Sequence, residues 1–98
     1  MSVTSLDGID RLVHEPARLA ILVTLAIVDE ADFVYLQRHT GLTAGNIASH
    51  ASRLDDAGYL EVDKGTGGPR RRTVYRLTGA GREALATYRR AIAEILGL

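Results

Sequence analysis

The stretch that decides the fold is LTAGNIASHASRLDDAGYLEV, residues 42–62. Thr43 is a good N-cap for a helix over residues 44–57, which a glycine then ends. Counted at about 100° per residue, one side of this helix is small and apolar and carries Ile47, Ala51 and Leu54. The other side carries Asn46, Ser49, His50 and Arg53. The sequence therefore predicts a two-sided helix that docks through one face and presents the other.

The polar face of this helix contains no acidic residue, whereas Asp55 and Asp56 come only near its end. Amide, hydroxyl and guanidinium groups can read base edges in the DNA major groove. An ordinary solvated helix face is the alternative interpretation. The candidate DNA-contacting residues of the cap and the helix are Thr43, Ala44, Gly45, Asn46, Ser49, His50 and Arg53.

After the helix the hydrophobic period changes from 3.6 to 2, which predicts a β-hairpin. Leu60 and Val62 alternate with acids, a glycine-rich turn follows, and residues 73–77 alternate again. The tip of the hairpin carries four bases, Lys64, Arg70, Arg71 and Arg72. A basic tip can contact phosphates or enter a minor groove. A loop that is merely soluble is the other interpretation of residues 64–72.

The residues before the decisive stretch predict three helices. Residues 6–14 place apolar side chains at helical spacing, Pro16 fits the first turn of a second helix, and Ala17–Val28 is apolar nearly all round. Asp32 can cap a short third helix that ends at Gly41. Because only a tight turn separates this third helix from the helix over 44–57, the two form a helix-turn-helix candidate.

Thr78 is the predicted N-cap of a last helix over 79–97. An amphipathic helix at each end of the chain can leave apolar stripes that a symmetric dimer would bury. Packing of the last helix on the chain's own core is the alternative. The predicted dimer contacts are Leu6, Ile9, Leu12, Val13, Leu85, Tyr88, Ile92, Ile95 and Leu96.

The composition indicates one domain spanning residues 1–98, with 46% hydrophobic and 24% charged residues and a net charge of zero. The charge is nevertheless uneven, since residues 1–63 hold ten acids and four bases and residues 64–98 hold eight bases and two acids. Eleven of the twelve bases are arginine, which suits phosphate and guanine contacts. No stretch is long enough to span a bilayer, so we expect a soluble, cytoplasmic protein.

Catalysis and cofactor binding are not expected from this sequence. It has no cysteine, and His14, His39 and His50 lie far apart, so no metal-ligand spacing is present. No nucleophile-elbow, phosphate-loop or metalloprotease motif appears. A metal site formed between two subunits stays open.

The run LTAGNIASHASRLDDAGYLEV, followed by a basic turn and TVYRLTGAGREAL, resembles the winged-helix regulators of the MarR and ArsR type. The resemblance covers roughly residues 16–88. One departure is Ala51, where a large aliphatic residue is common, and it predicts looser packing under the helix.

The resemblance implies a mainly α fold with a β-hairpin wing, a winged-helix core over 16–78 and additional helices at both ends. It further implies a homodimeric transcriptional regulator, expected to be a repressor, that binds a near-palindromic double-stranded DNA operator. The helix over 44–57 would recognise the DNA sequence and residues 64–72 would form the wing. A protein-binding adaptor and a sensor of an unknown small-molecule effector are the alternatives.

Overall fold

The fold comes from a computed structural model that describes residues 6–65 and 72–98. Helices and strands follow one another in the order α1 (Pro16–Val28), β1 (Glu30–Asp32), α2 (Phe33–Thr40), α3 (Ala44–Asp56), β2 (Leu60–Asp63), β3 (Val74–Leu77) and α4 (Gly79–Leu96). The predicted winged helix-turn-helix is confirmed, with α2 and α3 as its two helices.

Each of the four helices is preceded by a residue whose side chain accepts a hydrogen bond from a backbone N–H of the first turn. That N–H would otherwise be unpaired. Asp32, Thr43 and Thr78 cap α2, α3 and α4 as predicted. Glu15 caps α1 by accepting from the backbone nitrogens of Ala17 and Arg18, 3.0 Å each. The capping role of Glu15 was not predicted.

The hairpin belongs to a three-stranded antiparallel sheet in the order β1-β3-β2. On one side Tyr75 of β3 pairs with Val62, and on the other it pairs with Ala31. The strand β1 was not predicted, because its three residues are too few to show the alternation typical of a strand. The wing strands are therefore joined directly to the segment that leads into α2.

The helix predicted over residues 6–14 is wrong, because the structure forms turns there. The backbone nitrogens of Val13 and His14 both donate to the carbonyl oxygen of Asp10, and the Asp10 side chain accepts from the nitrogen of Leu12. Gly8, which is unfavourable in a helix interior, lies against Ala91 of α4. Contacts to the rest of the chain thus replace helical hydrogen bonds in these N-terminal turns.

A single core gathers around α1. Its largest fully buried side chains come from the N-terminal turns, from α1, α2 and α3, and from β2: Val13, Ile21, Leu22, Leu25, Leu36, Ile47, Leu54 and Leu60. Gly81 lets the first turn of α4 approach the backbone at Tyr59, where a Cβ atom would collide with the carbonyl oxygen. Within the described ranges no helix has the length and apolarity needed to cross a bilayer.

Candidate nucleic-acid interface

The helix α3 has the two faces that its sequence predicts. Ile47, Ala51 and Leu54 are buried against the rest of the chain. Asn46, Ser49 and Arg53 are exposed on the opposite side, and Thr43, Ala44 and Gly45 are exposed at the start of the helix. The outer face is thus not covered by the molecule's own helices.

His50 differs from the other predicted contacts because it is half-buried, with 21% of its side chain exposed. Its Nδ1 lies 3.2 Å from Nη1 of Arg18 and 3.5 Å from Oε2 of Glu15. The start of α1 therefore holds the inner edge of the His50 ring.

Glu15 contacts His50 and Arg18 in its ionised form, as a carboxylate. Burial acts to raise its pKa, but the backbone hydrogen bonds from Ala17 and Arg18, together with the neighbouring Arg18 guanidinium, outweigh burial. The net result is a pKa below the ordinary value. Glu15 thus stays charged at neutral pH, where it caps α1 and lies beside two basic side chains.

The electrostatics of α3 favour the part of the helix up to Arg53 as the part that faces an anion. The first turn contains no acid, and the N-terminus of a helix carries partial positive charge. Arg53 is exposed and forms no ion pair with any described residue, whereas Asp55 and Asp56 are exposed at the C-terminal end. The cationic part of this surface therefore ends at about Arg53.

The wing bases are partly neutralised. Of the four predicted wing contacts, Lys64 is exposed without an ion pair to the described residues, and Arg70 and Arg71 lie outside them. Arg72 is exposed and forms an ion pair with Asp32 at 3.2 Å. Among the described residues, the wing therefore offers fewer unpaired positive charges than its number of basic residues suggests.

Arg76 on β3 is also paired with acids. Its guanidinium lies 3.3 Å from Glu30 and 3.7 Å from Glu61, and the hydrogen bond to Glu30 is the largest of the effects that raise its pKa. These pairs link β3 to both neighbouring strands. Arg76 is therefore better placed to join the sheet than to bind an anion.

A groove of about 790 Å³ separates α3 from β2 and β3. Ala48 and Ala51 form part of its α3 wall, and Glu61, Asp63 and Lys64 lie along the wing side. Ala51, the position at which looser packing is predicted, is buried, with 1% of its surface exposed.

The structure divides the predicted dimer contacts into two groups. Val13, Leu85 and Tyr88 are buried in the core of the chain itself, so for these three the alternative of internal packing holds. The other six are half-buried or exposed: Leu6, Ile9, Leu12, Ile92, Ile95 and Leu96. Among the described residues no three His, Asp or Glu side chains are grouped closely enough to hold a metal ion.

Arg18 and Glu15, which contact His50 from the start of α1, were not predicted from the sequence as part of this site. Arg18 is the sole charged residue in the apolar segment 17–28, and that isolation was the available signal. Charged residues are almost never fully buried unless they are paired. An arginine inside an apolar helix thus indicated a partner elsewhere in the fold.

Comparison with known proteins gives consistent similarities. Residues 17–96 match the family model described as a winged helix DNA-binding domain. An uncharacterized protein of Methanocaldococcus jannaschii is 32% identical over 88 residues, which cover 90% of this chain and 92% of that protein.

Two solved structures extend the comparison. The transcriptional regulator homologue of Pyrococcus horikoshii has a TM-score of 0.82 and 27% identity, covering 90% of this chain and 87% of its own. The PcaV transcriptional regulator of Streptomyces coelicolor, in complex with its natural ligand, has a TM-score of 0.75 and 25% identity. The match covers 91% of this chain and 62% of the PcaV chain.

Proposed function

Because the chain belongs to the winged helix DNA-binding domain family and is a DNA-binding transcriptional regulator, we propose that it reads a specific double-stranded sequence as a homodimer. The family and the fold are those of transcription regulators and not of enzymes. The finer proposal concerns which residues contact DNA and how two copies assemble.

The observation that carries the proposal is the exposed, acid-free face of Asn46, Ser49 and Arg53 on α3. An α-helix with its side chains is about as wide as the major groove, roughly 12 Å. In that groove Asn can pair with adenine and Arg with guanine through two hydrogen bonds each, whereas Ser can contact either a base or a phosphate. We assign α3 to the major groove on this basis.

The wing would hold the DNA backbone beside α3. Lys64 follows the end of β2 and Arg72 precedes β3, so the register of the two strands keeps both residues at the same end of the sheet. Arg70 and Arg71 lie between them in sequence. Contacts from this segment to phosphate would add affinity with little sequence preference.

The homodimer is proposed from apolar side chains left uncovered at the two ends of the chain. Leu6 is 62% exposed and Leu96 63% exposed, and Ile92 and Ile95 on the same end of α4 are half-buried. A second copy would cover these side chains. Two α3 helices about 34 Å apart would then meet a near-palindromic operator.

Repression is the proposed outcome, since a bound dimer excludes other proteins from the DNA it covers. A small-molecule effector is proposed by analogy alone, because PcaV was solved with its natural ligand. A cytoplasmic location follows from the proposed access to the chromosome.

The adaptor alternative receives no support from the outer face of α3. A protein-binding face would be expected to show an apolar patch there, whereas its exposed side chains are polar or small. The large apolar side chains that are exposed in the described residues lie elsewhere: Leu6, Val23, Ile27, Val34, Leu96 and Leu98.

The test is in vitro selection of bound duplexes from a random pool, followed by binding measurements at two or more salt concentrations. Enrichment of a near-palindromic sequence supports the proposal. Recovery of no preferred sequence contradicts sequence-specific reading. A preferred single half-site bound by one copy contradicts the homodimer and leaves the role of α3 standing.

A further inference from the structure

Arg18, in the first turn of α1, is a buried charged residue with 8% of its surface exposed. Burial of a charged group is costly unless hydrogen bonds replace the lost water. A leucine or methionine would satisfy the apolar pattern of α1 without that cost. The partners of Arg18 therefore indicate what the residue is for.

The Arg18 guanidinium connects three parts of the chain. Its Nε donates a hydrogen bond of 2.6 Å to the carbonyl oxygen of Leu12, its Nη1 lies 3.2 Å from Nδ1 of His50, and the same Nη1 lies 3.8 Å from Oε2 of Glu15. The contact with Leu12 fixes the plane of the guanidinium against the N-terminal turns. The contact with His50 then reaches α3.

The chemistry of this contact determines where the His50 proton lies. A guanidinium only donates hydrogen bonds and is protonated throughout the range in which proteins fold. At 3.2 Å, Nδ1 of His50 must therefore be the acceptor, since an N–H at Nδ1 would oppose an N–H of Arg18. A neutral imidazole that accepts at Nδ1 carries its proton on Nε2.

The second ring nitrogen, Nε2, has no hydrogen-bond partner within residues 6–65 and 72–98. In those ranges every buried side-chain nitrogen and oxygen does have a partner. Nε2 of His50 is therefore not buried and reaches solvent. His50 also lies on the same side of α3 as the exposed Asn46 and Arg53. Counted from Asn46, His50 is at position i+4 and Arg53 at position i+7.

We propose that Arg18 fixes His50 as the Nε2–H tautomer, so that α3 presents an imidazole N–H donor to a hydrogen-bond acceptor on DNA. The acceptor would be a base edge, such as N7 or O6 of guanine, or a phosphate oxygen. Arg18 is then a positioning residue that never touches DNA itself. The inference rests on the proposed placement of α3 in the major groove.

The opposite arrangement would have Nδ1 donate to Glu15. Its Oε2 is more distant, at 3.5 Å, and both carboxylate oxygens of Glu15 already accept backbone N–H groups of α1. That arrangement would also leave Nε2 as an acceptor. The two tautomers hence present opposite chemistry at the outer face of α3.

The first experiment needs no DNA. Long-range proton–nitrogen NMR spectra of the ¹⁵N-labelled chain at about pH 8, where free imidazole is neutral, distinguish a protonated Nε2 from a protonated Nδ1. Loss of one set of signals in His50→Gln assigns His50 among the three histidines.

We expect the Nε2–H tautomer in the wild type and in Glu15→Gln, and a mixture of tautomers in Arg18→Met, whose side chain has no N–H to donate to Nδ1. If Arg18→Met does not fold, the wild-type spectrum still decides, since a protonated Nδ1 overturns the proposal.

The second experiment measures binding to the sequence selected by the wild type. His50→Ala should weaken binding about tenfold, as for one lost hydrogen bond of about 1.4 kcal/mol. His50→Gln, whose amide N–H can replace Nε2–H, should stay within about threefold of the wild type. Replacing each guanine by 7-deazaguanine removes the N7 acceptor and tests whether that atom receives the bond.

If His50→Ala weakens binding to the selected sequence alone, the acceptor is a base. If it weakens binding to scrambled DNA equally, the acceptor is a phosphate. Both results support donation by His50. Binding by His50→Gln as weak as that by His50→Ala overturns it. If no sequence is selected at all, the DNA-reading proposal fails while the tautomer measurement still stands on its own.

Discussion

The hydroxyl of Tyr59 donates a hydrogen bond of 2.6 Å to Oδ2 of Asp10, which joins the exit of α3 to the N-terminal turns. The same carboxylate accepts the backbone N–H of Leu12 through Oδ1. His14 and Tyr88 lie 2.8 Å apart, Nδ1 to hydroxyl oxygen, which adds a contact to α4. The N-terminal turns are thereby held against the exit of α3 and against α4, although they contain no helix.

Tyr59→Phe should lower the free energy of unfolding by about 1–2 kcal/mol, since it removes a hydrogen bond to a charged group. Chemical denaturation at pH 7 measures this loss. Tyr35→Phe is the matched control, because the Tyr35 hydroxyl has no hydrogen-bond partner among the described residues and its loss should change little. If the two variants lower the free energy of unfolding equally, the hydrogen bond to Asp10 does not contribute to stability.

The same pair predicts a pH dependence. The hydrogen bond to Asp10, together with burial and the charge of Asp10, raises the pKa of Tyr59 above its ordinary value near 10. A raised pKa means that the stabilisation is complete below about pH 10 and is lost as the pH rises through the folded-state pKa. The stability difference between wild type and Tyr59→Phe should therefore shrink above about pH 10, and a constant difference would contradict the assignment.

Arg53→Ala should weaken binding to the selected operator by about 1–3 kcal/mol and relax the preference at one base pair, as expected for a lost bidentate contact. Repeating the selection with the variant measures both effects. Arg89→Ala on α4 removes the same charge from an exposed position elsewhere and should leave the preference unchanged. Equal weakening on operator and random DNA would instead indicate a phosphate contact.

Lys64→Ala should reduce the slope of log K against log salt by about 1, because each phosphate contact releases about one counterion. Arg76→Ala should change that slope less, since Glu30 and Glu61 already pair with Arg76. Titrations of one duplex over a range of salt concentrations compare the two variants. An unchanged slope in Lys64→Ala would remove this residue from the interface.

Leu96→Asp should give a folded monomer, because Leu96 is exposed in the single chain and the proposed partner would have to bury the new carboxylate. Sedimentation together with operator binding measures the outcome. Ile27→Asp changes an exposed apolar residue on α1, 77% exposed, that is outside the predicted interface. If Ile27→Asp dissociates the dimer and Leu96→Asp does not, the interface lies on α1.

Gly81→Ala should destabilise the fold by about 1–3 kcal/mol or more, because the added Cβ would collide with the backbone at Tyr59 and with Leu77. Gly79→Ala lies in the same first turn of α4 with open space around it and should be neutral or slightly stabilising. Thermal unfolding of the two variants makes the comparison. Similar melting temperatures would show that α4 can shift away from Tyr59 at little cost.

Local signals were sufficient for most of the fold. The helices α1 to α4, their caps at Asp32, Thr43 and Thr78 and the strands of the wing all follow from periodicity and capping chemistry. The strand β1 could not be predicted, because three residues carry almost no periodicity and its hydrogen bonds come from a distant strand. The turns at residues 6–14 show apolar spacing typical of a helix, but long-range contacts such as Tyr59 to Asp10 decide the backbone there.

The sequence predicts which side chains of α3 are exposed, but not the hydrogen bonds that they form. Asn46, Ser49 and Arg53 are exposed as their positions on the helix require. His50 lies about 40° around the helix from Asn46, toward the apolar side, so its angle already indicated partial burial. The pairing of its ring with Arg18 joins residues 32 positions apart, so the sequence indicates that Arg18 needs a partner but not that the partner is His50.

The central position of β3 has a consequence for how the protein unfolds. Its residues bond to β1, which leads into α2, and to β2, which follows α3, and the chain passes from β3 directly into α4. The base of the wing therefore cannot open by itself while the helices stay packed. Loop tips commonly fray before the rest of a domain, but we expect β3 to unfold together with the helical bundle, so that its amides exchange with solvent only when the entire domain melts.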